Sequence, residues 1–576
     1  MRTRTRKPAI IDVDMAAVDA LLVRARAALS SEDHECLSGL VQTLIQISKL
    51  VRERGTTIAR LRRLFGLASS EKTADVLAKL SRVEGEQGSG SEQPGTSSDS
   101  SGDAAAGAPP AETDRDGTTD DKTTEPKSTR KGHGRIAASE YPNARRITVE
   151  HQSLHTGNAC PGCACGRLFQ LRDPACIVRI VGQAPLAATA WECERLRCSG
   201  CGKVFTARAP DDAQGPKYDD SAVSMMALLR YGTGMPLNRL DQLQRHLETP
   251  VPASTQWEVV RDRAQALTPV YDELHRQAAQ GRVLHNDDTS SRILAFMGKR
   301  RAELCIQGLL PDPERTGLFT TAIVAVTDVG PIALFFTGRK HAGENLATLL
   351  DERDPALATP VQMCDGLDRN IPTDHDVILS NCLAHGRRHI VDEVENFPDQ
   401  CQHVLEELGK TFKNESTCRE RGLRGLERLE FHQRESSHVM AELETWLNAE
   451  LDEKRVEPNS GLGKAFNYLL KRWQALTAFL RVPDAPLDNN LCERVLKMAI
   501  RHRNNSLFYR SQRGAEIGDL YMTLIYTAEL HGENPFEYLT ALLRHDAEVQ
   551  GTPAAWLPWT FRATLAALAV GAQRAA

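Results

Sequence analysis

The stretch "LFTTAIVAVTDVGPIALFFTG", Leu318–Gly338, holds two runs rich in β-branched, aromatic and small apolar residues on either side of Asp-Val-Gly-Pro. Such runs around a turn predict a β-hairpin. Upstream, "RVLHNDDTS" (282–290) reads as another strand. Downstream come a helix at "HAGENLATLLDER" (341–353) and strands at "PVQMCDG" (360–366) and "DVILSNCLAHG" (376–386). From Ala384 to Arg481 the apolar spacing is helical. Strands first, then alternating β and α, predict an α/β core with a mixed sheet, spanning 281–540, and a large helical insertion at about 384–487.

At 576 residues the chain has room for several domains. No apolar run reaches eighteen residues, so no membrane helix is expected. The start "MRTRTRKPAIIDVD" is basic without the apolar core of a secretory signal, which makes a cytoplasmic protein the expectation. A net charge of −5 excludes a uniformly basic nucleic-acid binder but not a local basic footprint.

Leu37, Leu40, Leu44, Ile47, Val51, Ile58, Leu61 and Phe65 step by three, four and seven, the seam of a short coiled coil with Arg54 interrupting it. A self-association helix within 1–83 is preferred over a surface helix. Residues 84–135 contain no Val, Ile, Leu, Met, Phe, Tyr or Trp. They cannot bury enough apolar surface to offset ordering entropy and are expected to be a disordered linker. In "PLNRLDQLQRHLETPVPASTQWEVVRDRAQAL" (236–267) a Pro-bounded turn separates two helices, the second opening with a Ser254 or Thr255 cap. Within 211–280 this outline suits a helix-turn-helix DNA reader and equally a plain helical pair. Residues 541–576 are expected to form a C-terminal tail.

Half of the fourteen cysteines fall between Cys160 and Cys201. "CPGC" (Cys160, Cys163) and "CSGC" (Cys198, Cys201) are two CxxC turns, each placing two thiolates within reach of one ion, so 136–210 is expected to be a zinc-ribbon module holding one structural Zn²⁺. Cys165, Cys176 and Cys193 are ambiguous extras. The six cysteines from Cys305 to Cys492 read as reduced core residues.

Three acids stand where metal-dependent phosphoryl transfer would use them. Asp287 lies in the first core strand, Asp365 ends a later strand, and Glu493 opens a helix in "PLDNNLCERVLKMAIRHRNN" (486–505). Hard divalent cations take carboxylate oxygens, and two of them suit in-line displacement at phosphorus. Each acid also fits a structural role: Asp287 as a strand-end turn former, Asp365 as the start of a "DG" turn, Glu493 as partner of Asn490 in a capping box. Arg494, Lys497, Arg501, Arg503, Arg510 and Arg513 make the stretch 494–513 basic and free of acids, suited to phosphates or to a solvated helix face. Arg387 and Arg388 in "AHGRRH" are a second candidate phosphate contact, and His385 before them fits a structural role as well.

Together these segments resemble the insertion-sequence-66 family of transposases over most of the chain. The resemblance rests on "LRRLFGLASSEK" (61–72), "KGHGRIAASEYPNA" (131–144), the paired CxxC turns, "HNDDT" (285–289), "QMCDGLDRN" (362–370), "NCLAHGRRH" (381–389) and the long segment from "PNSGLGK" (458–464) to "NNSLFY" (504–509). It implies an RNase H-like DDE catalytic domain in which Asp287, Asp365 and Glu493 bind two Mg²⁺ or Mn²⁺ ions. It further implies cutting of DNA at the ends of a bacterial insertion sequence and attack of the freed 3′-hydroxyl on target DNA. Terminal inverted repeats and target DNA are the implied partners, with a homo-oligomer on DNA, small element-encoded helper proteins and association with the nucleoid. The family places Glu where this chain has Asp288; neighbouring strand residues point to opposite sides, and Asp287 is taken as the ligand. A catalytically silent, transposase-derived zinc-finger DNA-binding protein is the alternative.

Overall fold

The computed structural model describes residues 146–575, apart from 150, 164–165, 172–175, 177–178, 181, 198, 200, 202 and 311. The expected coiled coil and linker lie outside these residues. The first strands, β1 (Arg195–Arg197) and β2 (Val204–Thr206), pair antiparallel. Three helices follow: α1 (Asp220–Ala227), α2 (Leu237–His246) and α3 (Ala253–Ala279). Next come β3 (Val283–Ser290), α4 (Gly298–Ile306), β4 (Phe319–Thr327), β5 (Gly330–Gly338), α5 (Ala342–Leu350), β6 (Val361–Cys364) and β7 (Ile378–Asn381).

The sheet order is β5-β4-β3-β6-β7, antiparallel across β5, β4 and β3 and parallel from β3 through β6 to β7. The mixed α/β sheet expected from the strand pattern is therefore present. Its hairpin turns at Gly330, whose φ of 125° suits glycine. The parallel crossover from β3 to β6 brings the ends of both strands to one edge of the sheet.

After β7 the chain is helical: α6 (Leu383–Val391), α7 (Pro398–Arg421), α8 (Gly425–Glu435), α9 (Ser437–Asp452), α10 (Gly461–Lys471) and α11 (Trp473–Leu476). These helices have a core of their own, built from residues such as Leu405, Leu443, Phe466 and Phe479. The chain then returns to the sheet with α12 (Asn490–Ser506), α13 (Gln512–Leu530), α14 (Pro535–Arg544), α15 (Asp546–Gly551) and α16 (Phe561–Ala575).

Two expected boundaries change. Residues 541–576 are not a tail, because 541 falls inside α14 and Val549, Trp556, Leu557 and Phe561 are buried in the main core. Residues 211–280 share that same core through Val223, Tyr231, Leu240, Val260 and Leu267. Helix α3 buries Val260, Ala264, Leu267, Val270, Leu274 and Ala278 along one face, which makes it a supporting helix of the sheet. Its N-cap is Pro252, so Ser254 and Thr255 sit inside its first turn and do not cap it.

The free edge of β5 is covered by α13. Asp519, Thr523 and Thr527, one helical turn apart, accept hydrogen bonds from the backbone N–H groups of Thr337 (2.6 Å), Phe335 (3.2 Å) and Ala333 (3.2 Å). Two strand residues and four helix residues advance by similar lengths, so the registers match over three bonds. An otherwise unpaired edge, open to intermolecular pairing, is closed within the chain.

Asp519 also accepts from Thr337 Oγ1 at 2.6 Å. Burial raises its carboxyl to about 7, against the pull of both Thr337 bonds. A folded value above the unfolded one means that stability present below about pH 4 is lost as the pH rises through 7. Asp519→Asn removes the buried charge and keeps an acceptor for the Thr337 N–H, with its amide NH2 turned as a donor toward Thr337 Oγ1. Its stability relative to the unaltered chain is expected to rise by roughly 2–4 kcal/mol between pH 4 and pH 7.5, measured by urea unfolding.

Candidate metal-dependent active site

Helix α12 buries Cys492, Val495, Leu496, Met498, Ala499 and His502, a three- and four-residue spacing that lays one face on the sheet. Cys492 Sγ donates to Ala322 O at 3.3 Å, and Ala322 is the cross-strand partner of Asp287. The next residue, Glu493, is thereby brought beside the middle of β3. Asp365 arrives from the end of β6, the strand parallel to β3.

Asp287 registers both neighbours. Burial and the Asp365 charge, with smaller contributions from Asp288 and Glu493, raise its carboxyl to about 7, although the Asp288 N–H donates to it at 2.8 Å. Asp365 and, more weakly, Glu493 are thus near enough to raise Asp287, although among the described residues the three carboxylates do not gather within 4.8 Å of one another. Asp288 is engaged elsewhere: its side chain is 2 % exposed and lies 3.3 Å from His341 Nδ1 and 3.2 Å from Arg369.

A buried polar layer fixes the acids. Asn370 Nδ2 donates to Asp365 Oδ1 at 2.8 Å, and Leu367 N donates to the same oxygen at 3.0 Å. Asn370 is held in turn, because its carbonyl accepts from Asn286 (2.7 Å) and Gln362 (2.6 Å). Tyr468 Oη, from α10, donates to Asp365 O at 2.7 Å, and Arg472 bonds Gly366 O at 3.1 Å. The helical insertion therefore grips the loop that carries the second acid.

The start of α12 departs from the capping box. Asn490 is the first helical residue, and the Glu493 N–H bonds the backbone oxygen of Asn489. Asp488 Oδ1 accepts the Asn490 N–H at 3.1 Å. The Asn489 side chain, fully buried, donates to Asn286 O at 3.1 Å and meets His285 Nδ1 at 3.0 Å. Burial lowers His285 to about 4, so the neutral ring donates through Nδ1 to the amide oxygen. Asn489 thus ties the helix to β3 one residue before Asp287. Polar residues within an otherwise apolar strand, as in "LHND", are the sequence signal for such a layer.

Cys382, His385 and Glu493 also approach, with one ligand atom from each within 4.8 Å, and His385 Nε2 lies 3.7 Å from Glu493. Burial pushes the Cys382 thiol up to about 12, so a cation bound there would have to displace its proton. Glu415, Cys418 and His432 make a second cluster in the insertion. There the Glu415 carboxylate already bonds Arg428, Arg419 and His432, so it is an ion-pair network that leaves no charge for a cation.

The other expected site residues are placed as follows. Arg494, Lys497, Arg501 and Arg388 are exposed. Arg503 is bonded to Thr289 Oγ1 (2.8 Å) and Ser290 O (2.6 Å), where it holds the far end of α12 on β3. Arg387 is buried, which removes it from the surface where phosphates bind. In the cysteine-rich segment, the Cys160 N–H bonds Gly166 O at 2.8 Å in a tight knuckle, and Cys201 lies in the connection between β1 and β2. Among the described residues, Cys160, Cys163 and Cys201 do not gather around one point, and Cys198 lies outside the described residues.

Comparison with known proteins places these residues in a family. The chain is 23% identical to the Sinorhizobium fredii protein y4hP over 449 residues, covering 73% of this chain and 76% of that one. It is 31% identical to y4jD of the same organism over 192 residues, 32% of this chain and 36% of the relative. With y4qI it shares 29% identity over 196 residues, 33% and 35% of the two chains. The profile described as "Transposase IS66 family" matches residues 217–517, more than half of the chain and inclusive of all three acids. The chain belongs to the IS66 family of transposases.

Proposed function

We propose that this transposase cuts and joins DNA at the ends of its insertion sequence through an RNase H-like core in which Asp287, Asp365 and Glu493 hold two divalent cations, Mg²⁺ or Mn²⁺. What supports this reading is the placement of three carboxylates on β3, just past the end of β6 and at the start of α12, where the charges of Asp365 and Glu493 add to burial in raising Asp287. A strand order with three antiparallel members followed by two parallel ones supports the RNase H-like assignment. Bound cations would activate the attacking oxygen and stabilise the leaving one. The chain's own part is to position the acids, with Asn370 aiming Asp365 and Asn489 setting the start of α12 against β3.

Exposed Arg494, Lys497 and Arg501 fall within a sector of about 60° on α12 and would neutralise successive phosphates without reading sequence. Arg388 offers a further phosphate contact. Recognition of the terminal inverted repeats is assigned to the cysteine-rich module and to the exposed side of α2. Pairing two element ends calls for a homo-oligomer on DNA, and the segment 37–65 is its candidate interface.

The test is incubation of the full chain with duplexes carrying the DNA ends that flank its gene, with Mg²⁺ and a target plasmid. Nicked ends and joined products are expected, with neither formed by Glu493→Ala. Equal DNA binding by both proteins without cutting by either would return the silent DNA-binding reading. Cutting without joining would reduce the activity to that of a nuclease.

A further inference from the structure

Helix α12 ends on a backbone conformation rare for its residue type. Leu507 has φ 68° and ψ −39° and centres a three-residue turn closed by Phe508 N–H to Ser506 O at 2.8 Å. Among the described residues, the other non-glycine positions with positive φ are Glu248, Asp312, Lys454 and Asp484, all charged. Such a turn is strained for a side chain with a Cβ and persists only where its surroundings enforce it.

Those surroundings are rigid. Tyr509 is buried and stacks on His502 (4.7 Å), which stacks on Tyr231 (6.0 Å), which stacks on Tyr521 (5.3 Å). Tyr509 also pairs with the 292–294 segment through its N–H to Arg292 O and its carbonyl to Leu294 N. Out of this base stand Leu507, 56% exposed, and Phe508, 39% exposed. Around them Arg292, Arg501 and Arg510 are exposed. Exposed apolar tips on a packed base, with exposed cations on the same segment and at the 292–294 pairing, match a polyanion whose interior is apolar.

We propose that Leu507 and Phe508 form a wedge that enters the base stack of the element's end DNA, unstacking one base step. The inference rests on the reading of α12 as the helix that lines the DNA. From Glu493 to Leu507 the axis runs roughly 20 Å, about six nucleotides at 3.4 Å each. The wedge therefore acts about six base pairs from the cut phosphate, with Arg494, Lys497 and Arg501 on the backbone between. Minor-groove proteins use leucine and phenylalanine in this way to kink a duplex.

The test places 2-aminopurine singly at each of the first twelve positions of the end duplex and reads its fluorescence with the full chain and Ca²⁺ in place of Mg²⁺. A several-fold rise is expected at one or two adjacent positions near the sixth, lost in the Leu507→Ala/Phe508→Ala double variant. Leu507→Gly relieves the strained φ, so it is expected to lose the signal while raising Tm by roughly 2–4 °C. A duplex that binds by anisotropy and is cut in Mg²⁺, yet shows no rise at any position, overturns the wedge and leaves the transposase reading intact. So does a rise that survives the double variant. A variant that changes the oligomeric state without DNA assigns the tip to protein contact and also overturns the proposal. Failure to bind or cut the duplex at all overturns both readings.

Discussion

Asp287→Asn is expected to lower Mg²⁺-dependent cutting of the element end by on the order of 10³-fold while leaving binding of the end duplex within a few-fold. Losing one anionic ligand from a cation that stabilises charge in the transition state forfeits several kcal/mol, and about 4 kcal/mol is a thousandfold in rate. The same substitution is expected to raise Tm in the absence of divalent cations. It removes a carboxylate whose proton affinity is raised first by burial and then by repulsion from Asp365 and, more weakly, Asp288 and Glu493. A side chain that destabilises the fold and is required for turnover is held for chemistry. The paired readout separates this from simple misfolding, which would lower both Tm and cutting. Asp288→Asn should behave differently, because Asp288 lies against His341 and Arg369. Its loss should cost stability, with a smaller effect on cutting.

Glu415→Ala carries the largest expected cost to the fold, about 3–5 kcal/mol by urea unfolding, because it strands buried partners. Arg428 lies 2.8 Å and His432 2.9 Å from its carboxylate, and both side chains are almost wholly buried. Burial alone would raise Glu415, but the His432 bond and the charges of Arg428 and Arg419 outweigh it and pull the carboxyl down to about 2. With the folded value below the unfolded one, this stabilisation is present above about pH 4.5 and lost as the pH falls toward 2. The alanine variant should lack that acid transition. The network also reaches the candidate site: Arg419 lies 3.1 Å from Glu415 and 3.5 Å from Asp488, which accepts the first N–H of α12. Reduced cutting at temperatures where the sheet is still folded is therefore expected as well. Equal stability of Glu415→Ala and the unaltered chain at pH 7 would show that the insertion does not depend on this network.

What the sequence could reveal depended on the range of the interaction involved. The hairpin at 319–338 was legible because alternation and turn chemistry are local, and the mixed sheet followed from the order of strands and helices. The three acids were visible as strand and helix-start residues, while which elements would carry them together is set by long-range topology that no local pattern encodes. Less local features were not. Asn490 had the spacing of a cap, but Asp488 and the buried Asn489 hold that turn through contacts with β3 more than 200 residues away. Arg387 and Arg503 looked like phosphate ligands beside Arg388 and Arg501, and only packing separates a buried or strand-bonded guanidinium from an exposed one. Trp556 and Phe561 looked like a tail because nothing nearby in sequence announces the core they complete.

The central claim is that Asp287, Asp365 and Glu493 bind the divalent cations of the reaction. Anomalous diffraction from crystals of the full chain with its end duplex, grown in Mn²⁺, tests it most directly. The account predicts Mn²⁺ peaks within about 2.0–2.3 Å of oxygens of all three carboxylates, lost in Asp287→Asn. Manganese at His385 and Cys382 with Asp287 unligated, or none near the three acids while DNA is bound, would contradict it.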